Sequence, residues 1–122
     1  IIFIMTSTGW DDNKKMDNKI FQLLEKVGLE DKSNNYPFEL SGGEQQRLVI
    51  ARSIVNNPKI IIADEPTGNL DPLIAEKILK LLLEINKSGT SIIMTTHNYN
   101  LIKKYNKRIL KCEDGLVKET SI

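Results

Sequence analysis

The chain has 122 residues, 40% of them apolar and 27% charged, and its 17 basic and 16 acidic side chains leave a formal net charge of +1. This is the composition of a globular domain. It offers no block of like charge to track a nucleic acid, no apolar run near the roughly 20 residues that span a bilayer, and no basic lead with a cleavage site of the secretory kind. A single cysteine, Cys112, excludes an internal disulfide and suits a reducing compartment, where it is expected to be a buried or half-buried bystander.

The opening stretch, Ile1 to Met5, is too short for periodicity to separate helix from strand. It starts in apolar residues with no polar lead-in and reads as a piece of a longer protein. Residues 6–12, with Gly9 and two aspartates, form a break. A helix is expected from about Asn13 to Val27, with Ile20, Leu23, Leu24 and Val27 on one face and Gly28 as its stop. A polar connector containing Pro37 follows. Ser41 then precedes a second amphipathic helix to about Asn56, which Asn57-Pro58 ends.

From Lys59 to Ala63 the residues Ile60, Ile61 and Ile62 stand in succession. A β-branched run without alternation predicts a strand covered on both faces, as in a parallel sheet. Asp71-Pro72 is a capping carboxylate with proline at the first helical position. The helix it starts is expected to reach Asn86, with Ile74, Ile78, Leu81, Leu82 and Ile85 inward. Residues 91–95 form a second strand-like run, so the order strand, helix, strand favours a parallel βαβ unit. A short helix over 98–105 and a hairpin over 108–117, turning at Asp114-Gly115, complete the chain.

Three constellations carry chemistry. In the first, Leu40 to Arg47, Ser41 with Gly42 and Gly43 at a helix start exposes backbone N–H groups that suit an oxygen-rich anion. Ser-Gly-Gly alone is more often an ordinary cap; the full octet is far more specific. In the second, the strand of isoleucines ends in Asp64 and Glu65, at the edge where open α/β sheets bind ligands. Asp64 can hold a hydrated magnesium ion, and Glu65 can polarise an attacking water. A solvated acidic loop would be the plainer reading of Asp-Glu, but Pro66 to Asp71 argues against it. The third is Thr95-Thr96-His97, which brings the chain's one histidine to the same sheet edge, in reach of a terminal phosphate.

Together these residues resemble the nucleotide-binding domain of ABC transporters. Leu40 to Gln45 is similar to that family's signature motif, Ile60 to Glu65 to its Walker B strand, Asn69 to Asp71 to its D-loop, and His97 to its switch histidine. Glu44 stands where many members carry glutamine. Glu44 to Arg47 together with Ala63 to Asp71 resembles the branch of cell-division, lipoprotein-release and macrolide-export ATPases.

The resemblance implies a P-loop NTPase-type α/β core fragment with a helical subdomain, residues 1–57 forming the latter and residues 58–122 the C-terminal half of the core. It implies ATP and Mg2+ as ligands and a head-to-tail homodimer. Ser41, Gly42, Gly43 and Glu44 would meet the nucleotide bound by the other subunit, and Asp71 would act across the dimer. Asp64 would act on magnesium through water, Glu65 on the attacking water, and His97 on the γ-phosphate. A permease-like integral membrane subunit is the implied partner, with the ATPase in the cytoplasm at the inner face of the membrane and no nucleic acid involved. No Gly-x-x-x-x-Gly-Lys-Ser/Thr occurs in the 122 residues, so the chain alone is expected to bind ATP weakly or not at all. The rivals are a DNA-maintenance ATPase, disfavoured by the short helix before the signature, and a non-catalytic remnant acting as a binding module.

Overall fold

The computed structural model describes residues 1–105 and 107–120. Helix α1 (Ile2–Ser7) resolves the ambiguity of the opening stretch. It buries Met5 completely, and the Thr6, Ser7 and Thr8 hydroxyls donate back to carbonyls within the helix. Helix α2 (Asn13–Lys26) starts where the Asp12 carboxylate accepts the Lys15 N–H at 3.1 Å. It ends at Gly28, whose φ of +66° is the left-handed conformation that glycine adopts at least cost. Two single turns of 3-10 helix, Glu30–Lys32 and Pro37–Glu39, make up much of the connector.

Helix α3 (Gly42–Ile54) begins on a capping box. The Ser41 hydroxyl accepts the Glu44 N–H at 3.4 Å, and the Glu44 carboxylate accepts the Ser41 N–H at 2.8 Å. The Gln45 amide donates to the carbonyls of Pro37 and Leu40, which ties the preceding turn to the helix. Helix α4 (Pro72–Lys87) begins where the Asp71 carboxylate accepts the Leu73 N–H at 2.8 Å and proline fills the first position.

Strands β1 (Ile60–Asp64) and β2 (Ser91–Thr95) flank α4 in sequence and pair in parallel, from Ile60 opposite Ser91 to Asp64 opposite Thr95. A short helix α5 (Tyr99–Tyr105) and an antiparallel hairpin, β3 (Ile109–Glu113) and β4 (Leu116–Thr120), follow. The hairpin turns at Asp114-Gly115, both at positive φ, as expected, and its second strand runs three residues past the expected limit of 117.

One apolar cluster holds the layers together, drawing Met5, Leu23, Val27 and Ile54 from the helical segment and Ile61, Ile78 and Ile85 from the βαβ segment. Most of the expected inward residues lie in it; Ile20 is partly buried against it, as is Leu48 of α3, and Ile74 is partly buried. Trp10 also packs partly buried on the cluster, with its indole N–H donating to Asn56 at 3.1 Å.

Two expectations need correction. The β1 strand is covered on one face, not two. Ile61, with Ile92 and Met94 from β2, meets the core, while Ile60, Ile62 and Ile93 are 49%, 74% and 52% exposed, because no element among the described residues packs on that side. Cys112 is exposed rather than buried, since the β3–β4 hairpin makes its contacts within itself.

Candidate functional site

The parallel register brings the end of β1 beside the end of β2. Asp64 and Thr95 are paired across the sheet, and the Thr95 hydroxyl donates to the Asp64 carboxylate. The same hydroxyl accepts the Glu65 N–H at 3.1 Å, and the Thr95 carbonyl accepts it at 3.2 Å. The Glu65 carbonyl accepts the Gly68 N–H at 2.9 Å, closing a tight turn in which Pro66 and Thr67 are buried. Glu65 itself sits at a φ of +43°, a left-handed conformation that costs a residue with a Cβ roughly 1–2 kcal/mol. The hydrogen bonds on both sides of its backbone hold it there, and a strained residue held by its surroundings is a mark of functional positions.

That conformation sends the Glu65 side chain to His97, whose ring Nδ1 lies 2.7 Å from Glu65 Oε1. His97 is 86% exposed, so its imidazole stands at the protein surface with its other nitrogen open to solvent or ligand. A carboxylate that can accept a proton and an imidazole that can donate a hydrogen bond thus share one sheet edge. Three of the residues singled out in the sequence, Asp64, Glu65 and His97, are brought together. Thr95, which orients two of them, was quoted only as a flank of His97.

Asp64 is exposed, and Thr95 occupies one of its carboxylate oxygens, leaving acceptor capacity free. Among the described residues no three carboxylate, imidazole or thiol groups gather into a full ligand set. This donor set fits a magnesium ion that keeps its waters and meets one carboxylate through them; it does not fit a dry cage.

The first turn of α3 is a separate part of the surface. Ser41 and Gly42 are exposed, and the Gly42 and Gly43 N–H groups have no acceptor among the described residues. Ser41 uses its hydroxyl oxygen to accept the Glu44 N–H, which leaves the O–H free to donate. These are three unpaired donors at the positive end of a helix dipole. Glu44 is turned inward onto the cap, and the Ser41 N–H bond holds its carboxyl below the usual carboxylate range.

Gly43 has a packing role that its place in the motif does not reveal. It is buried, and a Cβ there would lie 2.5 Å from Ile74 Cγ2 on α4. Gly42 faces Leu70, where a Cβ would meet Leu70 Cδ2 at an ordinary 3.8 Å. The α3 start therefore rests against the loop and helix that follow the Asp64-Glu65 strand, with Asp71 at the junction as the α4 cap. The hydrogen bonds of Ser41 stay within its own helix start and do not reach Glu65 or His97.

The sequence matches the ABC transporter family over residues 3–68. It is 50% identical over 99 residues to the cell division ATP-binding protein FtsE of Bacillus subtilis, covering 81% of this chain and 43% of that protein. It is 46% identical over 115 residues to FtsE of Escherichia coli K12, covering 94% of this chain and 50% of that protein. The chain spans about half the length of the curated relatives it matches. Among solved structures, it aligns with MJ1267, an ATP-binding cassette of an ABC transporter, at a TM-score of 0.81 and 28% identity over 90% of this chain and 44% of that one. MJ0796, an ATP-binding cassette solved as a dimer in a post-hydrolysis state with ADP and Pi, aligns at 0.75 and 37% over 92% of this chain and 49% of that one. The fold is that of these cassettes.

Proposed function

The chain belongs to the ABC transporter family, and from that premise we propose that it is the signature-bearing part of an ATP-hydrolysing subunit of the FtsE kind. The observation that carries the reading is the Glu65–His97 contact of 2.7 Å at the end of two parallel strands, beside an Asp64 held by Thr95. In this reading residues 1–57 form the helical subdomain and residues 58–122 the C-terminal half of the α/β core.

Glu65 acts as the general base. Its backbone is locked, so its carboxylate can be directed at an attacking water without searching for a position. His97 holds that carboxylate through Nδ1 and meets the γ-phosphate when the contact is exchanged. Asp64 holds the waters of a magnesium ion, which when bound neutralises charge on the phosphate oxygens. Ser41, Gly42 and Gly43 donate to the nucleotide of a second, head-to-tail subunit; Glu44 reaches the same nucleotide through the cap, and Asp71 acts across the dimer junction. The exposed O–H of Ser41 and the unpaired N–H groups of α3 support this, because they have no acceptor among the described residues.

Hydrolysis then depends on closure of two subunits, and closure is the stroke passed to a permease-like membrane subunit of the FtsX kind at the inner face of the membrane. The 46–50% identity to FtsE proteins supports the cell-division branch over lipoprotein release or macrolide export. No helix among the described residues is long and apolar enough to cross a membrane. The 122 residues alone hydrolyse no ATP in this reading, since the phosphate loop is not among them.

Glu65→Gln in the full-length protein tests the assignment. The expected result is a fall in ATP turnover of about 10²–10⁴-fold, the usual contribution of a general base, with ATP retained by a trapped dimer. Undiminished turnover would remove Glu65 from the role.

A further inference from the structure

Away from the sheet edge, α2, α3 and α4 leave an open cleft of about 350 Å³. Lys26 and Gly28 line it from the end of α2, Arg47 from α3, and Lys77, Lys80 and Glu84 from α4. Four cationic side chains thus face one acidic one. Lys80 pairs with Glu76 at 3.2 Å and Arg47 lies in the field of Glu44 on its own helix, while Lys26 and Lys77 make no ion pair among the described residues. The Arg47 Nε–H is sealed from solvent and has no hydrogen-bond acceptor.

We propose that this cleft is a binding site for a phosphate-bearing polyanion, separate from the Asp64-Glu65-His97 edge and independent of the hydrolytic reading. Arginine and lysine together favour phosphate oxygens, arginine by its planar fork and lysine as a point charge. The volume admits two or three linked phosphates or a phosphorylated lipid headgroup. Arg47 lies in the same helix that begins at Ser41-Gly42-Gly43.

The test titrates the 122-residue chain with sodium tripolyphosphate and follows backbone amides by NMR. Expected are saturable shifts at Lys26, Gly28, Lys77 and Lys80, and about a tenfold loss of affinity in Lys26→Glu/Lys77→Glu, with further weakening as salt screens the charges. Both positions are exposed and should keep native helicity; Lys77→Gln, which removes charge without reversing it, should give a smaller loss in the same direction. Shifts confined to residues 41–44, or equal affinity in the double variant, would overturn the proposal. A second arm sediments the chain with phosphatidylcholine vesicles with and without phosphatidylglycerol. Sedimentation that needs the anionic lipid and is lost in the double variant makes a headgroup the source. Tripolyphosphate binding without sedimentation makes it a free phosphate compound.

Discussion

Thr95 shows what the candidate site needs beyond the residues that perform chemistry. Its hydroxyl donates to the Asp64 carboxylate and accepts from the Glu65 N–H, so one group holds the side chain of the first acid and the backbone of the second. Thr95→Val keeps the β-branched shape and removes both bonds. Urea denaturation is expected to show a loss of about 0.5–1.5 kcal/mol, and an unchanged midpoint would mean that the hydroxyl holds nothing. Glu44 gives a prediction with a defined pH dependence. Its folded-state value is depressed by the Ser41 N–H, so the capping bond contributes stability above the ordinary value of 4.5, and that contribution is lost as pH falls through the lowered value. Glu44→Ala should therefore melt below the parent chain near neutrality, with the gap closing as the pH falls below 4.5 and through the lowered value. A gap that stays constant in thermal melts across that range would place the effect elsewhere. Asp64, Glu65 and His97 were legible in the sequence because each follows a β-branched run. Thr95's role was not, because its contacts reach 30 and 31 residues back and depend on the strand register.

At the level of elements, the helix starts were the most readable feature. Ser41 and Asp71 cap the helices expected after them, and Asp12, read only as part of a break, caps the helix expected from Asn13, since a side-chain acceptor three or two residues ahead of an orphan N–H is a local event. Asp71→Ala is expected to cost α4 about 1 kcal/mol in thermal or chemical unfolding, a loss separable from any effect across a dimer because it appears in the monomeric chain. Helix α1 was not readable, because its six residues are fewer than two turns and its fixing contact is the burial of Met5 by distant segments. Gly43 was readable only in part. Its place in the octet suggested bare backbone for an anion, while the structure adds that α3 and α4 approach too closely there for a Cβ. Gly43→Ala is expected to destabilise the chain by about 1–3 kcal/mol through overpacking. Ile74→Ala should recover part of that loss in the double variant; strictly additive losses would show that Ile74 is not the obstacle.

The whole molecule carries a consequence of its two-stranded parallel sheet. An unbroken isoleucine run is the pattern of a strand buried on both sides, yet α4 and the helical layer cover one side only. The other side displays Ile60, Ile62 and Ile93 together as an apolar surface. The two faces of β1 should therefore answer differently to the same change. Ile62→Thr, at a 74% exposed position, is expected to shift stability in urea denaturation by no more than about 0.5 kcal/mol. Ile61→Thr, one residue earlier and 7% exposed, removes packing and buries a hydroxyl, and should cost about 2–4 kcal/mol. Equal losses from both substitutions would mean that the outward face is covered in solution, and that the expectation of a doubly buried strand describes the protein better than the single layer of helices seen against it.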